Sequence, residues 1–532
     1  MGRGEKPGPD RSSQPFRVGT SGTEPGVVNA LGGRARTSTD AARSVGAAVT
    51  ARGWGWQHAT RANWAVRDLD LSIAPGERVL LLGPSGAGKS TLLHGVAGLL
   101  GGAEEGRQAG QLHVDGAPPA ERRSRIGMVL QDPDSQVILP RVGDDVAFGM
   151  ENLGVPRDQI WPRVRQALDA VGLNAPLSHP TSKLSGGQKQ RLALAGVVAM
   201  RPGLILLDEP TANLDPAGVI EVRDAIVESA RRTGATLIVI EHRTDVWLPV
   251  IDRVIVLGAD GTVTADGMPD DTIRREHDYL VRSGVWVPGV PLPEIARRRG
   301  GDDSVLLRAT DLLVGQHGDA PLNTGLDFEI RRGRTTVVTG PNGAGKSTLA
   351  LTLGGLLRPA AGRLTADAAL APPRSRLEPV RWRSKELLTR IGSVFQDPEH
   401  QFLTGTVRDE LSLGPRALKR AGTEIESRTD ELLQRLSLQH VADANPYTLS
   451  GGEKRRLSVA TVLATGPAVI VLDEPTFGQD RRTWEELVRL LADVADAGTA
   501  VVAATHDLDF TALLADTRIE LPAWRTATET TE

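Results

Sequence analysis

The amino-acid sequence predicts an α/β fold that is built twice along one chain. Three observations point to it: short apolar runs of strand length, helical segments between them, and one series of Gly-rich and acidic motifs that occurs twice in the same order. Continuous apolar runs are typical of parallel strands buried on both faces of a sheet. The sequence therefore predicts two mainly parallel sheets covered by helices, which we call the first and the second repeat.

Each repeat begins with short strands and continues with buried ones. The first repeat opens on strand-like segments at residues 49–51 and 70–73, which a Pro75-Gly76 turn follows. The matching order of the later runs predicts one topology for both repeats. These runs lie at residues 78–82, 204–207 and 237–240 in the first repeat, and at residues 335–339, 469–472 and 500–503 in the second.

Length and composition exclude several classes of protein. A chain of 532 residues suits two domains, and 40% hydrophobic residues suffice for a core in each. The net charge of -4 does not mark a surface for nucleic acid or anionic lipid. The absence of cysteine excludes disulfides, iron–sulfur clusters and thiolate zinc sites. No apolar run in the sequence reaches the roughly 18 to 20 residues that a membrane-spanning helix needs.

Shifts in composition predict the domain boundaries. The N-terminal segment is rich in Gly, Ser, Thr and Arg and lacks the apolar stretch of a secretory signal. Three prolines between residues 285 and 303 indicate a linker, which we expect to be flexible. The predicted organisation is a disordered segment at 1–47, a first domain at 48–281, a linker at 282–303, a second domain at 304–524 and a tail at 525–532.

The first motif of the doubled series is a Gly-rich loop that follows a buried strand. Glycines let backbone N–H groups close around phosphate oxygens, and the next helix turns its positive end toward the same anion. Lys89 and Lys346 are expected to neutralise the β- and γ-phosphates, and Ser90 and Ser347 to hold Mg²⁺. The candidate nucleotide-binding residues are Gly83, Pro84, Ser85, Gly86, Ala87, Gly88, Lys89, Ser90 and Thr91, and Gly340, Pro341, Asn342, Gly343, Ala344, Gly345, Lys346, Ser347 and Thr348.

The spacing of the two motif series is nearly constant. One shift in numbering relates Gln131 to Gln396, and the Ser-Gly-Gly turn and acidic pair of the first repeat to those of the second. The shift between the two glycine loops is smaller by eight. The second repeat therefore carries eight extra residues between its loop and Gln396, which we expect between Ala371 and Val380.

A pair of acidic residues ends one strand in each repeat. Asp208 and Asp473 are placed to order the Mg²⁺ shell. Glu209 and Glu474, which follow them, are expected to orient and deprotonate the attacking water. An acidic pair at a strand end is often only a solvated turn. Its recurrence behind both glycine loops favours the chemical interpretation.

A Ser-Gly-Gly turn opens a helix in each repeat, at residues 188–200 and 453–465. The N-terminus of such a helix is a second phosphate site. A single Ser-Gly-Gly turn is most often a helix cap, so the weight of this motif comes from its place in the series. The residues of the two turns are Ser185, Gly186, Gly187 and Gln188, and Ser450, Gly451, Gly452 and Glu453.

The full series consists of the phosphate loop, Gln131 or Gln396, the Ser-Gly-Gly helix, the acidic strand end, and His242 or His506. It resembles the ATP-binding cassette (ABC) ATPases. The resemblance implies two P-loop NTPase domains of ABC type, each with a RecA-like, mainly parallel sheet, an antiparallel β subdomain and a helical insert. It also implies ATP hydrolysis, with each ATP held between the phosphate loop of one repeat and the Ser-Gly-Gly turn of the other.

The resemblance assigns roles to further residues. Gln131 and Gln396 would sense the γ-phosphate and join Ser90, Asp208, Ser347 and Asp473 around Mg²⁺. His242 and His506 would contact the γ-phosphate, although a solvated histidine is the ordinary alternative. Asp215 and Asp480 would lie between the repeats. Trp56, or alternatively Trp54, would stack on adenine, an interaction worth about 1–3 kcal/mol.

The second repeat departs from the family pattern in three places. No aromatic residue occupies residues 314–317, Glu453 replaces Gln188, and the sequence Phe477-Gly478-Gln479 replaces the segment 212–214. None of these changes removes a predicted phosphate, metal or water ligand. We therefore expect two sites that hydrolyse ATP but are not equal.

The segments that begin at the two glutamines indicate a particular branch of the ABC family. Both read Gln-Asp-Pro-x-x-Gln, at residues 131–136 and 396–401. They resemble the ATPase component of energy-coupling factor importers of vitamins or transition-metal ions, where this region docks a membrane subunit. The resemblance implies a position at the cytoplasmic face of the membrane with two integral partners, a coupling component and a substrate-binding component. It implies no nucleic acid and no direct contact with the cargo.

A soluble tandem ABC protein, such as a ribosome-associated translation factor, is the alternative. Such proteins also carry two cassettes in one chain, but they usually join them with a long charged helix. The linker of this chain is short and Pro-rich. The net negative charge also gives little support to RNA binding. A structural ATPase of DNA repair would require coiled-coil or zinc inserts, which the sequence lacks.

Overall fold

A computed structural model describes residues 46–59, 63–102, 104–211, 214–298, 302–315 and 325–522. The predicted N-terminal disordered segment, apart from its last two residues, lies outside these ranges, as does the predicted C-terminal tail. None of the helices in the described ranges is long and apolar enough to cross a membrane.

The strands follow the predicted order in both repeats. In the first repeat they are β1 (Val49–His58), β2 (Val66–Ile73), β3 (Arg78–Leu82), β4 (Gly106–Val114), β5 (Ile126–Val129), β6 (Leu204–Asp208), β7 (Thr236–Ile240), β8 (Arg253–Leu257) and β9 (Val263–Gly267). In the second they are β10 (Val305–Leu313), β11 (Leu326–Arg331), β12 (Thr335–Thr339), β13 (Ala361–Ala366), β14 (Ile391–Val394), β15 (Val469–Asp473), β16 (Ala500–Ala504) and β17 (Thr517–Glu520).

Helices alternate with these strands. In the first repeat they are α1 (Lys89–Val96), α2 (Val142–Asn152), α3 (Arg157–Ala170), α4 (Gly186–Met200), α5 (Pro216–Thr233), α6 (Thr244–Trp247), α7 (Pro269–Arg275) and α8 (His277–Arg282). In the second they are α9 (Lys346–Leu353), α10 (Ser384–Leu387), α11 (Val407–Ala417), α12 (Gly422–Arg435), α13 (Gly451–Thr465), α14 (Arg481–Asp496) and α15 (Leu508–Leu514).

Each repeat pairs one mainly parallel sheet with one antiparallel sheet. The large sheets have the strand orders β5-β6-β7-β3-β8-β9 and β14-β15-β16-β12-β17, and their pairs are parallel except β8 with β9. The small sheets have the orders β2-β1-β4 and β11-β10-β13 and are antiparallel. The prediction of an α/β fold with a parallel sheet and an antiparallel subdomain in each repeat is confirmed.

Burial on both faces explains the uninterrupted apolar runs. In β6, Leu204 and Leu206 pack in the cluster shared with the antiparallel sheet, whereas Ile205 and Leu207 pack in the cluster formed with the helices. Successive side chains of a strand point to opposite faces, so a strand between two layers must be apolar at every position. The arrangement leaves the carboxyl ends of the parallel strands as the edge at which polar residues gather.

The connection before β14 differs in length between the repeats. It runs over residues 367–390 in the second repeat and contains α10, whereas its counterpart between β4 and β5 runs over residues 115–125. The longer connection includes the stretch from Ala371 to Val380, where the sequence places the extra residues.

The linker differs from the flexible segment that its composition predicts. The Arg297 side chain is 5% exposed, and its Nε donates to Asp496 at 2.9 Å. The same guanidinium lies 3.5 Å from a carboxylate oxygen of Asp516 and donates to the carbonyl of Leu514. Part of the linker is therefore fixed against the second repeat. Composition missed this because the partners of Arg297 lie far along the chain, near the end of the second repeat.

We expect Arg297→Ala to destabilise the second repeat, because the change removes the buried guanidinium that contacts both Asp496 and Asp516. Loss of one member of a buried ion pair costs about 3 kcal/mol. Urea unfolding followed by circular dichroism measures the effect. Arg298→Ala is the matched control: its side chain is exposed, and only its backbone N–H contacts Asp496. Equal shifts for the two variants would contradict the anchoring role of Arg297.

Candidate active site

Both glycine loops connect a central strand to a helix, as the sequence predicts. The helices α1 and α9 begin at the loop lysines, directly after glycines whose φ angles are 86° at Gly88 and 92° at Gly345. A Cβ atom on Gly88 would lie 2.1 Å from the carbonyl oxygen of Ala65. Position 88 therefore requires glycine both for its left-handed backbone and for the close approach of the neighbouring chain.

The loop lysines fold back over their own loops. Nζ of Lys89 donates to the carbonyl oxygens of Gly83 and Pro84, at 2.9 Å each. Nζ of Lys346 contacts the matching carbonyls of the second loop at 3.0 and 3.2 Å. Burial lowers the pKa of both lysines, and nearby carboxylates oppose this shift. Each ammonium group thus lies against the carbonyl oxygens at the start of its own loop.

The aspartates at the ends of β6 and β15 lie beside the loop serines. Burial raises the pKa of Asp208 to about 6, and a hydrogen bond from Ser90 opposes the shift. Asp473 shows the same pattern with Ser347, and its buried Oδ1 has no hydrogen-bond partner among the described residues. Mg²⁺ prefers one or two carboxylates together with phosphate oxygens and water. This oxygen donor set fits that requirement.

The glutamates that follow have a strained backbone in both repeats. The φ angle is 50° at Glu209 and 47° at Glu474, values that are rare outside glycine. Such backbone strain concentrates at functional sites, where the surrounding structure holds it. The strain turns each glutamate out of its strand at the carboxyl edge. In the sequence, only the recurrence of the acidic pair points to this strained position.

In the first repeat the glutamate is held by both other predicted catalytic groups. Nε2 of Gln131 donates to Glu209 at 2.9 Å, and Nε2 of His242 lies 3.0 Å from its other carboxylate oxygen. Burial raises the pKa of Glu209, but the charge and hydrogen bond of His242 outweigh it, and Lys89 adds to them, so that the pKa is lowered. Conversely, Glu209 raises the pKa of His242 against the effect of burial.

The second repeat arranges the same residue types differently. Glu474 accepts hydrogen bonds from Thr505 Oγ1 at 3.0 Å and from the backbone N–H of His506 at 3.3 Å. Nε2 of the His506 ring is 3.7 Å from Glu474 and contacts Lys346 at 2.7 Å and Asn342 at 2.9 Å. Burial raises the pKa of Glu474 to about 7, and burial together with Lys346 lowers the pKa of His506 to about 4. Gln396 is exposed, as is Gln131 in the first repeat. The two sites therefore differ in charge as well as in contacts.

The Ser-Gly-Gly turns are capping boxes at the starts of α4 and α13. Ser185 and Gln188 exchange hydrogen bonds with each other's backbone N–H, and Ser450 and Glu453 do the same. Glu453 also accepts from Ser450 Oγ at 2.7 Å and pairs with His440 at 2.9 Å. The replacement of Gln188 by Glu453 thus preserves the cap. Both helices begin two residues before the predicted ranges, so the glycines lie in the first helical turn.

The two repeats contact each other at the predicted interface aspartates. Asp480 caps α14 and accepts a hydrogen bond from Ser85 Oγ of the first loop at 3.0 Å. Asp215 caps α5 and accepts from the backbone N–H of Asn342, in the second loop, at 3.3 Å. The Gly451 turn faces Gln131, since a Cβ atom on that glycine would lie 3.9 Å from Gln131 Nε2. Residues of the second repeat therefore complete the surroundings of the first loop.

Two carboxylates near the sites, one buried and one half-buried, were missed by sequence reasoning. Glu241 accepts hydrogen bonds from the backbone N–H and the hydroxyl of Thr211, beside the acidic pair of the first repeat. In the second repeat Asp507 accepts from Thr476 Oγ1 at 2.8 Å and from Trp484 Nε1 at 2.6 Å. One carboxylate precedes its histidine and the other follows it. Alignment of the two repeats by their motifs therefore does not pair these two carboxylates, although each lies beside the acidic strand end of its own repeat.

The prediction that Trp56 or Trp54 stacks on adenine is corrected by the structure. Both indoles are 1% exposed and pack inside the antiparallel subdomain, so neither presents a ring face to a ligand. Alternate residues of β1 share one face, and here that face is the core. Beside them, His58 accepts from Trp56 Nε1 at 3.3 Å and lies 3.2 Å from Thr91 Oγ1, in the helix that follows the phosphate loop.

Comparisons with known proteins agree with this geometry. The ABC transporter family model matches residues 66–212 and 323–477. The chain is 37% identical over 485 residues to a Bacillus subtilis protein named putative HMP/thiamine import ATP-binding protein YkoD, and the match covers 86% of each chain. A putative ABC transporter ATP-binding protein of Methanosarcina acetivorans is 33% identical over 505 residues, which is 85% of this chain and 80% of the relative.

A solved structure of RNase-L inhibitor matches with a TM-score of 0.58 at 19% identity, over 89% of this chain and 91% of that chain. This likeness extends to the fold alone. The family match, in contrast, falls on both repeats and includes both phosphate loops. The chain belongs to the ABC transporter family, and it is an ATPase that carries two ATP-binding cassettes in one polypeptide.

Proposed function

We propose that this chain is the ATP-hydrolysing subunit of an energy-coupling factor importer for a vitamin or a transition-metal ion. The observation that carries the proposal is a pair of apolar side chains exposed at equivalent places in the two repeats. Ile138 is 62% exposed and Leu403 is 78% exposed, and each follows the second glutamine of its Gln-Asp-Pro-x-x-Gln segment at the same spacing. Exposed apolar side chains at matched positions are suited to contact a partner protein.

A rigid turn presents each of these side chains. The last glutamine of Gln-Asp-Pro-x-x-Gln pins the turn to the preceding strand: Gln136 accepts from the N–H of Leu130 at 2.8 Å and donates to the carbonyl of Met128 at 3.1 Å. Gln401 makes the matching pair of bonds in the second repeat. The last glutamine of the motif therefore has a structural role: it fixes the turn that follows Gln131 or Gln396.

The next residues are fixed by an acidic side chain at a helix start. Asp145 of α2 accepts from the N–H groups of Ile138 and Leu139 at 2.8 and 2.7 Å. Glu410 of α11 accepts from the N–H groups of Leu403 and Thr404 at 2.9 and 2.8 Å. With the backbone held in this way, the two apolar side chains point outward, ready to receive short helices of a membrane subunit.

An ion pair links each turn to the Ser-Gly-Gly helix of the same repeat. Lys189 of α4 pairs with Asp134, and Lys454 of α13 pairs with Glu399. Each helix begins at the turn that is proposed to face the ATP of the opposite repeat. A movement of one repeat against the other would thus be transmitted through the ion pair to the proposed docking surface. Transport requires such a link between the ATP sites and the membrane subunit.

In the proposed hydrolysis, Glu209 and Glu474 orient and deprotonate the attacking water, and His242 and His506 contact the γ-phosphate. Lys89 and Lys346 neutralise phosphate charge. Mg²⁺, when bound, supplies the positive charge that stabilises the transferring phosphoryl group. The residues proposed to hold it are Ser90, Gln131 and Asp208 in the first repeat, and Ser347, Gln396 and Asp473 in the second.

The name of the Bacillus subtilis relative supports the importer class, since it describes an import ATP-binding protein. The proposal places the chain at the cytoplasmic face of the membrane, with a coupling component and a substrate-binding component as integral partners. A ribosome-associated function is the second candidate. The likeness to RNase-L inhibitor shows a shared fold and favours neither candidate.

We expect a Glu209→Gln, Glu474→Gln double variant to bind ATP and lose hydrolysis, because the amide keeps the shape of each side chain but cannot accept the water proton. The loss in kcat should be at least about 100-fold. Phosphate release and equilibrium ATP binding measure the two properties. Hydrolysis at the unaltered rate would contradict the role of both glutamates.

We expect Ile138→Asp combined with Leu403→Asp to release the chain from membranes, because a carboxylate at each position cannot enter an apolar contact. Fractionation of native cells, followed by mild detergent extraction, measures whether the chain travels with integral subunits. Met268→Asp is the control, since Met268 is 65% exposed outside the two turns. Sedimentation of the unaltered chain with ribosomes instead of membranes would support the second candidate and overturn the importer proposal.

A further inference from the structure

The start of the linker runs between the two repeats and inserts side chains into both. Val285 and Val287 are buried in the core of the first repeat. Trp286, between them, packs against the core of the second repeat. Alternate side chains of an extended segment point in opposite directions, so three consecutive residues bind the two repeats together.

The backbone of Trp286 is bonded to the loop that carries the first histidine. Its N–H donates to the carbonyl of His242 at 3.2 Å. Its carbonyl accepts from the N–H of Thr244 at 3.4 Å and from Thr244 Oγ1 at 2.7 Å. The linker thus extends the parallel pairing beyond β7 by one bridge, between Arg243 and Trp286.

The side chain of Trp286 is bonded to the loop and helix that carry Asp480. Its Nε1 donates to the carbonyl of Gln479 at 3.2 Å, and its ring meets that of Trp484 edge to face at 5.1 Å. The guanidinium of Arg481 lies 5.7 Å from the ring centre, and that of Arg243 lies 4.7 Å from it. These contacts fix the indole between a cation from each repeat.

Both attachment points belong to the surroundings of the first phosphate loop. His242 contacts Glu209, and Asp480 contacts Ser85. Gly284 approaches Asp480 so closely that a Cβ atom would lie 2.8 Å from its Oδ1, and its φ angle is +83°. The linker therefore touches the interface aspartate directly as well as through Trp286.

The matching positions of the opposite repeats could not receive a second indole in the same way. Pro216 and Val219 of the first repeat stand where the second has Arg481 and Trp484. Asp507 of the second repeat, directly after His506, stands where the first has Arg243 directly after His242. The cationic and aromatic partners of Trp286 thus occur only where the linker passes, which is at the first site.

We propose that Trp286 is a positioning residue of the first ATP site, which holds the His242 loop of one repeat and the Asp480 loop of the other at a fixed separation. The first site then stays engaged across the interface, and opening occurs at the second site, between Asp215 and Asn342. The inference rests on the proposed roles of His242 and Asp480 in the ATP sites.

Cross-linking in the full chain without nucleotide tests this proposal, because the natural sequence has no cysteine. A Ser85→Cys, Asp480→Cys pair reports on the first site, and an Asn342→Cys, Asp215→Cys pair reports on the second. We expect Trp286→Ala to slow oxidation of the first pair about tenfold and to leave the second within about twofold, because cross-linking follows the effective concentration of the two thiols.

Two further variants exclude a general loss of structure. Trp286→Phe keeps the edge-to-face contact and loses only the bond to Gln479, so a smaller slowing at the first pair is expected. Trp382→Phe loses a similar bond, from its Nε1 to the carbonyl of Arg376 at 2.7 Å, and should change neither pair. Equal slowing at both pairs, or none at the first with Trp286→Ala, would overturn the proposal.

Steady-state kinetics separate positioning from binding. In the chain without engineered cysteines, Trp286→Ala should lower kcat and leave the KM for ATP unchanged, since the indole touches loops that act on the γ-phosphate. A rise in KM alone would also count against the proposal. Failure of this proposal can be distinguished from failure of the assigned ATP sites. If the assigned sites were wrong, the Glu209→Gln, Glu474→Gln variant would hydrolyse ATP at the unaltered rate, whatever the cross-linking shows.

Discussion

The arrangement depends on two aspartates that each serve both repeats. Asp480 accepts a hydrogen bond from the N–H of Thr483, in the first turn of the helix that Asp480 caps, and another from Ser85 of the opposite phosphate loop. Asp215 does the same with the N–H of Gly218 and with Asn342. A carboxylate with two oxygens can satisfy both demands at once. The start of one helix in each repeat is thereby fixed relative to the phosphate site of the other, and the doubled sequence becomes one interdependent unit.

Within this reciprocal frame the two sites are not alike. In the first, Glu209 forms a charged pair with His242 and a bond with Gln131. In the second, the His506 ring contacts Lys346 of the loop, and Glu474 accepts from Thr505 and from the backbone N–H of His506, with a pKa raised by burial. The linker adds to the difference, since it passes the first site. Duplication has thus preserved the reactive groups, while their immediate partners have diverged.

The sequence predicts what local chemistry determines. The strands, the phosphate loops and the Ser-Gly-Gly helices follow from apolar runs and glycines, and they lie where the motifs place them. Tertiary packing decides the rest. The burial of Trp56 depends on which face of β1 meets the core. The anchoring of Arg297 depends on residues far along the chain. Glu241 precedes His242, whereas the corresponding carboxylate of the second repeat, Asp507, follows His506, so alignment of the two repeats does not pair them. A linear motif contains none of this information.

The central claim is that each ATP site is built from both repeats of one chain. The most direct test is an experimental structure of the Glu209→Gln, Glu474→Gln chain with ATP and Mg²⁺. We expect two ATP molecules per chain, one between the Lys89 loop and the Ser450 turn and the other between the Lys346 loop and the Ser185 turn. Nucleotides that contact a single repeat, or that are shared between two separate chains, would contradict the account.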